Sequence, residues 1–404
     1  MIRIAAFFGH KKARLLIQGQ QDTQNRMTIN QLQLPRNAVW FHAASVGEFE
    51  QARPLIERLR REQHKQPVIV TFFSPSGYEM RKNYDLADGV YYLPFATRSN
   101  ARRWLDAMQP KMAVFVKYEF WPAYLRELKK RNIPTYSICA IFRPGQLFFK
   151  PWGKTHLSLL RCFTHIYVQD QASYDLLTGH NIPDCSVAGD TRFDRVSRQA
   201  NMQDERLLPV QTFVEGCPRV IVAGSTWHED EKLLKQYMQH AGQPVKLILV
   251  PHELDEAHMH FLFNLFKGRF IRYTELVKRP MVISNNPFIP DVLLIDTVGL
   301  LSSLYRFGQV AYVGGGFGDG IHNTLEAAVY GMPVVFGPKY THFREAVGLI
   351  GAGAARSVRN YRELENAFEN ALEDHTAIGE KAAQYVASET GATDTIYNEI
   401  FINN

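Results

Sequence analysis

Val310-Ala311-Tyr312-Val313-Gly314-Gly315-Gly316-Phe317-Gly318-Asp319-Gly320-Ile321-His322-Asn323-Thr324-Leu325-Glu326-Ala327-Ala328-Val329-Tyr330-Gly331-Met332-Pro333-Val334-Val335-Phe336-Gly337-Pro338 is the stretch that decides the fold of this chain. An apolar run ends in glycines, a helical stretch closes at Gly331, and a second apolar run follows. Strand, glycine-rich turn, helix and strand in that order make one parallel unit of a nucleotide-binding sheet. Gly314, Gly315 and Gly316 carry no side chains, so backbone N–H groups can approach a ligand there, and the helix N-terminus behind them favours phosphate. Asn323 stands at the expected N-cap, with Glu326 three residues later. Two readings stay open for this pair. It is a capping-box variant, or both side chains meet a nucleotide sugar whose ribose hydroxyls donate to Glu326. Spacing does not separate them. A dinucleotide fold wants Gly-x-Gly-x-x-Gly after the first strand of its domain. Counted from Gly314 or from Gly316, the last position is Asp319 or Ile321, and the run lies late in its domain, which argues against a dehydrogenase.

Working outward, the 404 residues allow two domains with sizeable cores. With 46% hydrophobic and 21% charged residues the chain is globular. A net charge of +6 suits an anionic partner such as a nucleotide, a phosphorylated lipid or a membrane surface. Cys139, Cys162, Cys185 and Cys217 are far apart and form no C-x-x-C pair, so they read as buried thiols in a reducing compartment. No metal cluster with recognisable ligand spacing is present, and the pairs His228/Glu229 and His252/Glu253 do not match H-E-x-x-H. No run reaches the length of a membrane span, and 2–8 is too short for a signal peptide. Residues 2–17 mix apolar and basic side chains and read equally well as an amphipathic helix on an anionic bilayer or as a helix packed on its own domain.

From Ala38 apolar strands alternate with helical stretches: 39–43, 68–72, 89–92, 112–116, 134–138 and 165–168 are strands, with helices over 46–61, 76–84, 100–108 and 122–131 among them. Polar residues and prolines dominate 190–218, and alternation then resumes with strands at 220–223, 246–250, 292–295, 310–313 and 333–336. This predicts an α/β protein with two Rossmann-like, doubly wound domains: 1–195, a linker at 196–218, and 219–404 ending in a helix. Two such halves put a cleft between two sheets, and ligands bind outside the carboxyl ends of the strands.

The polar residues gather at those strand ends. Ser45-Val46-Gly47-Glu48 follows the first strand; Gly47 permits a tight turn, and Glu48 falls in the first helical turn, where a dipole-complementing carboxylate is also common. Ser74 and Ser76 make an N-cap cluster and an anion nest. Lys117, Glu119 and two aromatics end the 112–116 strand, a costly grouping unless something binds there, although an internal Lys117–Glu119 pair or a sheet-edge role would also account for it. Ser225 and Thr226 open a helix as a phosphate cradle or as plain caps. His252 and Glu253, then Asp296 to Gly299, follow two further strands.

Together these motifs resemble the 3-deoxy-D-manno-octulosonic acid (Kdo) transferases of lipopolysaccharide synthesis. The resemblance rests on Ala44-Ser45-Val46-Gly47-Glu48, Tyr118-Glu119-Phe120-Trp121-Pro122, Gly189-Asp190-Thr191-Arg192-Phe193-Asp194, Gly224-Ser225-Thr226, Asp296-Thr297-Val298-Gly299, and the glycine run through His322-Asn323-x-x-Glu326, in that order. It implies a GT-B fold and an inverting transfer from CMP-Kdo, held by the C-terminal domain, to the lipid A precursor (lipid IVA) on the N-terminal domain. It implies Glu48 as general base, with Glu119 the next candidate. It implies donor contacts from the 251–253 loop, Gly314–316, Asn323 and Glu326, and a substrate-binding role for Arg192. It implies no metal cofactor, no nucleic-acid partner, and work at the cytoplasmic face of the inner membrane, peripheral or N-terminally anchored. The chain departs from the family at its short N-terminal apolar run and at Pro251-His252-Glu253, where many relatives carry a more basic Pro-Arg-His. The helix N-terminus is expected to lower the proton affinity of Glu48, leaving an ionised but weak base at pH 7, and substrate phosphates to raise it again. Two other readings remain: another GT-B transferase or an epimerase using UDP, and a non-catalytic sugar-nucleotide or membrane-binding module.

Overall fold

The computed structural model describes residues 11–28, 34–200, 202, 204–278 and 290–403. It divides into two compact units, Met1–Asp194 with Thr390–Asn404, and Arg195–Glu389. Among the described residues each unit holds one seven-stranded, all-parallel sheet.

The first sheet runs β3-β2-β1-β4-β5-β6-β7, from β1 (Val39–Ala43), β2 (Val68–Phe72), β3 (Gly89–Tyr92), β4 (Met112–Val116), β5 (Thr135–Ala140), β6 (His165–Val168) and β7 (Cys185–Val187). β1, β2, β4 and β5 are buried along their whole length, as expected of parallel strands with helices on both faces. Alternation sorts their side chains: Val39, Phe41 and Ala43 join one core, and Trp40 joins the other. The second sheet runs β10-β11-β9-β8-β12-β13-β14, from β8 (Val220–Thr226), β9 (Lys246–Pro251), β10 (Phe270–Arg272), β11 (Val292–Leu294), β12 (Val310–Val313), β13 (Val334–Phe336) and β14 (Ala355–Ser357).

Strand order reverses between β1 and β4 in one sheet and between β8 and β12 in the other. Such switch points open crevices at the carboxyl ends of the strands, where ligands sit in doubly wound sheets. The motifs after β1 and β4, and after β8 and β12, therefore stand at these two places.

Three strands escaped the sequence reading. β7, β10 and β14 are sheet edges of three residues each, and only Cys185 among their residues is buried, so neither alternation nor a long apolar run marks them. The stretch read as a linker, 196–218, contains helix: Thr191–Ala200 buries Phe193 and Val196, and Leu208–Val214 buries Val210 and Phe213. Its polar composition belongs to the outer faces of those helices.

The last residues return to the first unit. Ile396, Tyr397 and Ile400 are buried in the core formed by Val39, Phe41 and Val114. Arg58 stacks on Tyr397 at 4.2 Å and donates to Asp394 and Asn398, while Asp194 accepts from the backbone N–H groups of Gly391 and Thr393.

The first described helix is Lys11–Thr28, which overlaps the expected 2–17 segment over residues 11–17. It buries Ala13, Leu16, Gln20, Thr23 and Met27, one helical stripe. Gly19 lies so close to the Tyr92 ring that a Cβ would come within 2.2 Å of it, and Gln20 Nε2 donates to Leu93 O at 3.0 Å. From residue 11 on, the helix packs on its own domain; residues 2–10 of the expected amphipathic segment lie outside the described residues. Among the described residues no helix is long and apolar enough to cross a membrane.

Candidate active site

At the β1/β4 switch point, Ser45 caps the helix Val46–Glu62 and accepts from Glu48 N at 3.4 Å. Glu48 Oε2 reaches back to the N–H groups of Ala44 at 2.6 Å and Ser45 at 3.2 Å. The Ser-Val-Gly-Glu motif is thus a full capping box, and the side chain it orders remains partly exposed at the strand end. The expected low proton affinity is not found. Burial pushes the Glu48 carboxyl up, the Glu119 charge adds to this, and the N–H groups and Lys117 only partly oppose them, leaving it at about 7.

Glu119 comes from the loop after β4 and is buried. Its Oε2 accepts from Trp121 Nε1 at 2.6 Å and His42 Nε2 at 3.0 Å, so the expected Lys117–Glu119 pair is replaced by indole and imidazole donors. Lys117 adopts a left-handed φ of +54 and acts through its charge on Glu48 and Asp190. Ser74 N donates to Ala44 O at 2.7 Å, bringing the β2 loop beside the β1 loop. Ser74 makes no side-chain cap to its helix; its hydroxyl pairs with that of Ser76 at 2.7 Å. Gly47 is exposed in the first turn, where a Cβ would meet Ser45 Oγ at 4.0 Å, an ordinary contact. Arg192 grips Asp190 through Nε at 3.0 Å and Nη2 at 2.8 Å. Burial opposes charge on Asp190, but Arg192 and Lys117 outweigh it and hold the carboxyl at about 2. Arg192 therefore anchors a buried carboxylate.

In the second unit a cavity of about 460 Å³ opens at the ends of β8, β9 and β12, lined by Trp227, Asp230, His252, Gly315, Phe317 and His322 among others. The His252 ring stacks with Trp227, centroids 4.8 Å apart, and with His322, 4.2 Å apart. Trp227 Nε1 donates to His322 Nε2 at 3.2 Å, which puts the proton of a neutral His322 on Nδ1. Burial and then the neighbouring His252 push His322 down to about 4, so it is neutral at pH 7. Burial also lowers His252, against the pull of Glu253.

The glycine run works differently from expectation. A Cβ on Gly314 would come within 2.3 Å of Ser225 O, and one on Gly316 within 2.6 Å of the Gly337 backbone. These two glycines let strand ends pack. Gly315, with φ +90, lines the cavity together with Gly318 and Gly320, and its N–H donates to Asp230 Oδ2 at 3.0 Å. Asp230 also accepts from Trp227 N at 2.9 Å and Tyr312 Oη at 2.7 Å, tying the β8 and β12 loops together.

The helix after the glycines is a single turn, Leu325–Ala328, with Thr324 at its N-cap. Asn323 Oδ1 accepts from Leu325 N at 3.1 Å, and Asn323 Nδ2 donates to Glu326 Oε1 at 3.0 Å. The two side chains pair with each other, and the N-cap residue, Thr324, makes no side-chain cap bond. So short a helix brings little dipole to an anion. Ser225 takes φ +52. Thr226 is fully buried and donates to Glu231 Oε1 at 2.9 Å, so it is no open phosphate cradle. Asp296 accepts from Thr274 N at 3.0 Å and steadies the helix Tyr273–Lys278. Glu253 and Gly299 are exposed, the latter at φ +83.

Sequence reasoning passed over His42, Trp227, Asp230 and His322 as site residues. His42 is the one polar residue in Val-Trp-Phe-His-Ala, and that was the available signal. Among the described residues no group of three or more His, Cys, Asp or Glu side chains is placed to hold a metal ion.

Residues 17–195 match the family described as 3-deoxy-D-manno-octulosonic-acid transferase (kdotransferase). The 3-deoxy-D-manno-octulosonic acid transferase of Aquifex aeolicus (strain VF5) is 28% identical over 345 residues, covering 81% of this chain and 84% of that protein. Its namesake from Bordetella pertussis is 27% identical over 375 residues, covering 88% and 85%. In fold the chain is similar to the UDP-GlcNAc 2-epimerase from Neisseria meningitidis, with a TM-score of 0.62 at 16% identity over 91% of this chain and all of that one. It is also similar to MurG from Acinetobacter baumannii, with a TM-score of 0.56 at 14% identity over 91% and 99%. The shared architecture is the two-domain α/β GT-B type; residues 17–195 match the Kdo transferase family, and the curated relatives that the chain resembles over most of its length are Kdo transferases.

Proposed function

We propose that this enzyme transfers Kdo from CMP-Kdo to the lipid A precursor, with inversion at the anomeric carbon and Glu48 as general base. The observation that carries this reading is the Glu48 carboxyl, ordered by two backbone N–H groups, partly exposed, and raised to about 7. A base with that proton affinity is half ionised near neutral pH and strong enough to take a proton from an attacking hydroxyl. The acceptor oxygen bonds to the anomeric carbon, its proton passes to Glu48, and the bond to CMP breaks with its electron pair leaving on the phosphate. The donor is assigned to the second unit's cavity, where stacked rings offer a face for a base and His252 a nitrogen for phosphate. His252, Glu253, Asn323 and Glu326 are its proposed contacts, and the chemistry is proposed to need no metal.

We assign the membrane contact to the loop that carries Leu147 and Trp152, 43% and 74% exposed, among Arg143, Lys150 and Lys154. Exposed apolar residues interleaved with cations suit the boundary of an anionic bilayer.

The test is incubation with freshly generated CMP-Kdo and tetra-acylated lipid A precursor, followed by mass spectrometry. Addition of Kdo supports the reading. No addition, together with interconversion of UDP-N-acetylglucosamine in a parallel reaction, would replace it with an epimerase.

A further inference from the structure

Behind Glu48 the first unit buries a chain of polar groups. His42 is fully buried in β1, although the rest of that strand is apolar. Its Nδ1 lies 2.8 Å from Thr71 Oγ1, and Thr71 Oγ1 in turn accepts from Trp40 Nε1 at 2.8 Å. His42 Nδ1 also lies 3.1 Å from the Thr71 carbonyl oxygen, and the Thr71 hydroxyl stands 3.5 Å from Phe41 O. On the other side of the ring, His42 Nε2 faces Glu119 Oε2 at 3.0 Å, where the carboxylate oxygen accepts. Buried polar groups bonded to one another in this way hold each other in place. A fully buried imidazole held at both nitrogens costs more than an apolar residue would at the same site.

We propose that His42 is a positioning residue for the transfer reaction: through Glu119 it fixes a negative charge beside the Glu48 carboxylate and so sets the strength of the base. The proposal rests on the assignment of Glu48 as base. Trp121 supplies the second N–H to the same Glu119 oxygen. The other charges and titratable groups acting at Glu48 are Lys117, which favours its ionisation, and the Tyr118 phenol. Glu119 opposes Lys117, so removing the Glu119 charge lets Lys117 prevail.

The titration of Glu48 is read directly by NMR of the carboxyl carbon in selectively labelled full-length protein, beside the pH profile of Kdo transfer. Glu119→Gln keeps an acceptor for both N–H donors and removes the charge. We expect the Glu48 midpoint to fall by roughly one pH unit, with the acid limb of turnover moving alongside it. His42→Phe should move the midpoint the same way by less, and His42→Phe/Glu119→Gln no further than Glu119→Gln alone, because one charge carries both effects. Trp121→Phe, at a partly exposed position, repeats the His42 test where the buried change prevents folding. A Glu48 midpoint that stays put in Glu119→Gln overturns the proposal whatever turnover does. So does a His42→Phe protein that melts earlier with an unmoved midpoint, because His42 would then only pack. A midpoint that shifts while the acid limb stays shows the electrostatic coupling but rejects Glu48 as the base, and with it the role of His42 in the transfer.

Discussion

Changing Glu48 to Gln tests the base and its environment together. The folded protein holds the Glu48 proton up to about 7, against an ordinary value of 4.5. At about 1.36 kcal/mol per pH unit this difference corresponds to roughly 3 kcal/mol, and partial exposure of the side chain reduces it to about 1–3 kcal/mol. The sign follows from proton counting. Between 4.5 and about 7 the unfolded chain has released this proton and the folded chain still holds it. Stability from this group is therefore lost as pH rises through that window and is level above it. Gln keeps the amide oxygen for the N–H groups of Ala44 and Ser45 but cannot titrate. The stability of wild type relative to Glu48→Gln should thus fall by about 1–3 kcal/mol between pH 4 and pH 8, while turnover near neutral pH falls about 10²–10⁴-fold. Denaturant unfolding followed by tryptophan emission suits the measurement, since Trp40, Trp104, Trp121 and Trp152 all lie in the first unit. A stability difference that does not change with pH refutes the burial argument. Near wild-type turnover in the variant refutes Glu48 as base and turns attention to Glu119.

Asp230→Ala should destabilise the second unit by about 2–4 kcal/mol, because Gly315 N–H and the Tyr312 hydroxyl lose their buried acceptor; thermal unfolding with and without CMP checks this, and unchanged melting and CMP protection would remove Asp230 from the site. Turnover is expected to survive excess EDTA, and a loss that magnesium reverses would contradict metal independence. Trp152→Ala combined with Lys154→Glu should sharply reduce co-sedimentation with anionic liposomes while sparing turnover of detergent-dispersed acceptor; undiminished binding would move the membrane contact elsewhere.

Long apolar runs are legible because a parallel strand covered on both faces needs them along its whole length, and so both sheets and their strand-end loops could be read from the residues alone. The Ser45/Glu48 capping box is a local motif that closes within three residues, yet the sequence alone places Glu48 only in the first helical turn, and the structure shows the box. The sequence by itself determined two doubly wound halves and the loops in which their chemistry would be found. It did not show the short, half-exposed edge strands, the return of Ile396, Tyr397 and Ile400 to the first core, or the helices within 196–218. The roles of individual site residues were decided by tertiary structure. Gly314 and Gly316 answer to backbones that pass close by from other strands. Thr226 answers to Glu231, and Arg192 to an Asp190 that also holds Gln51 Nε2 at 2.9 Å. The proton affinity of the Glu48 carboxyl is raised by burial and by Glu119, and Glu119 is bonded to His42, groups far apart in the chain. Hydrogen-bond motifs within one turn are written locally. A proton affinity sums burial and charge from every element packed around the group, and only the folded chain brings those together.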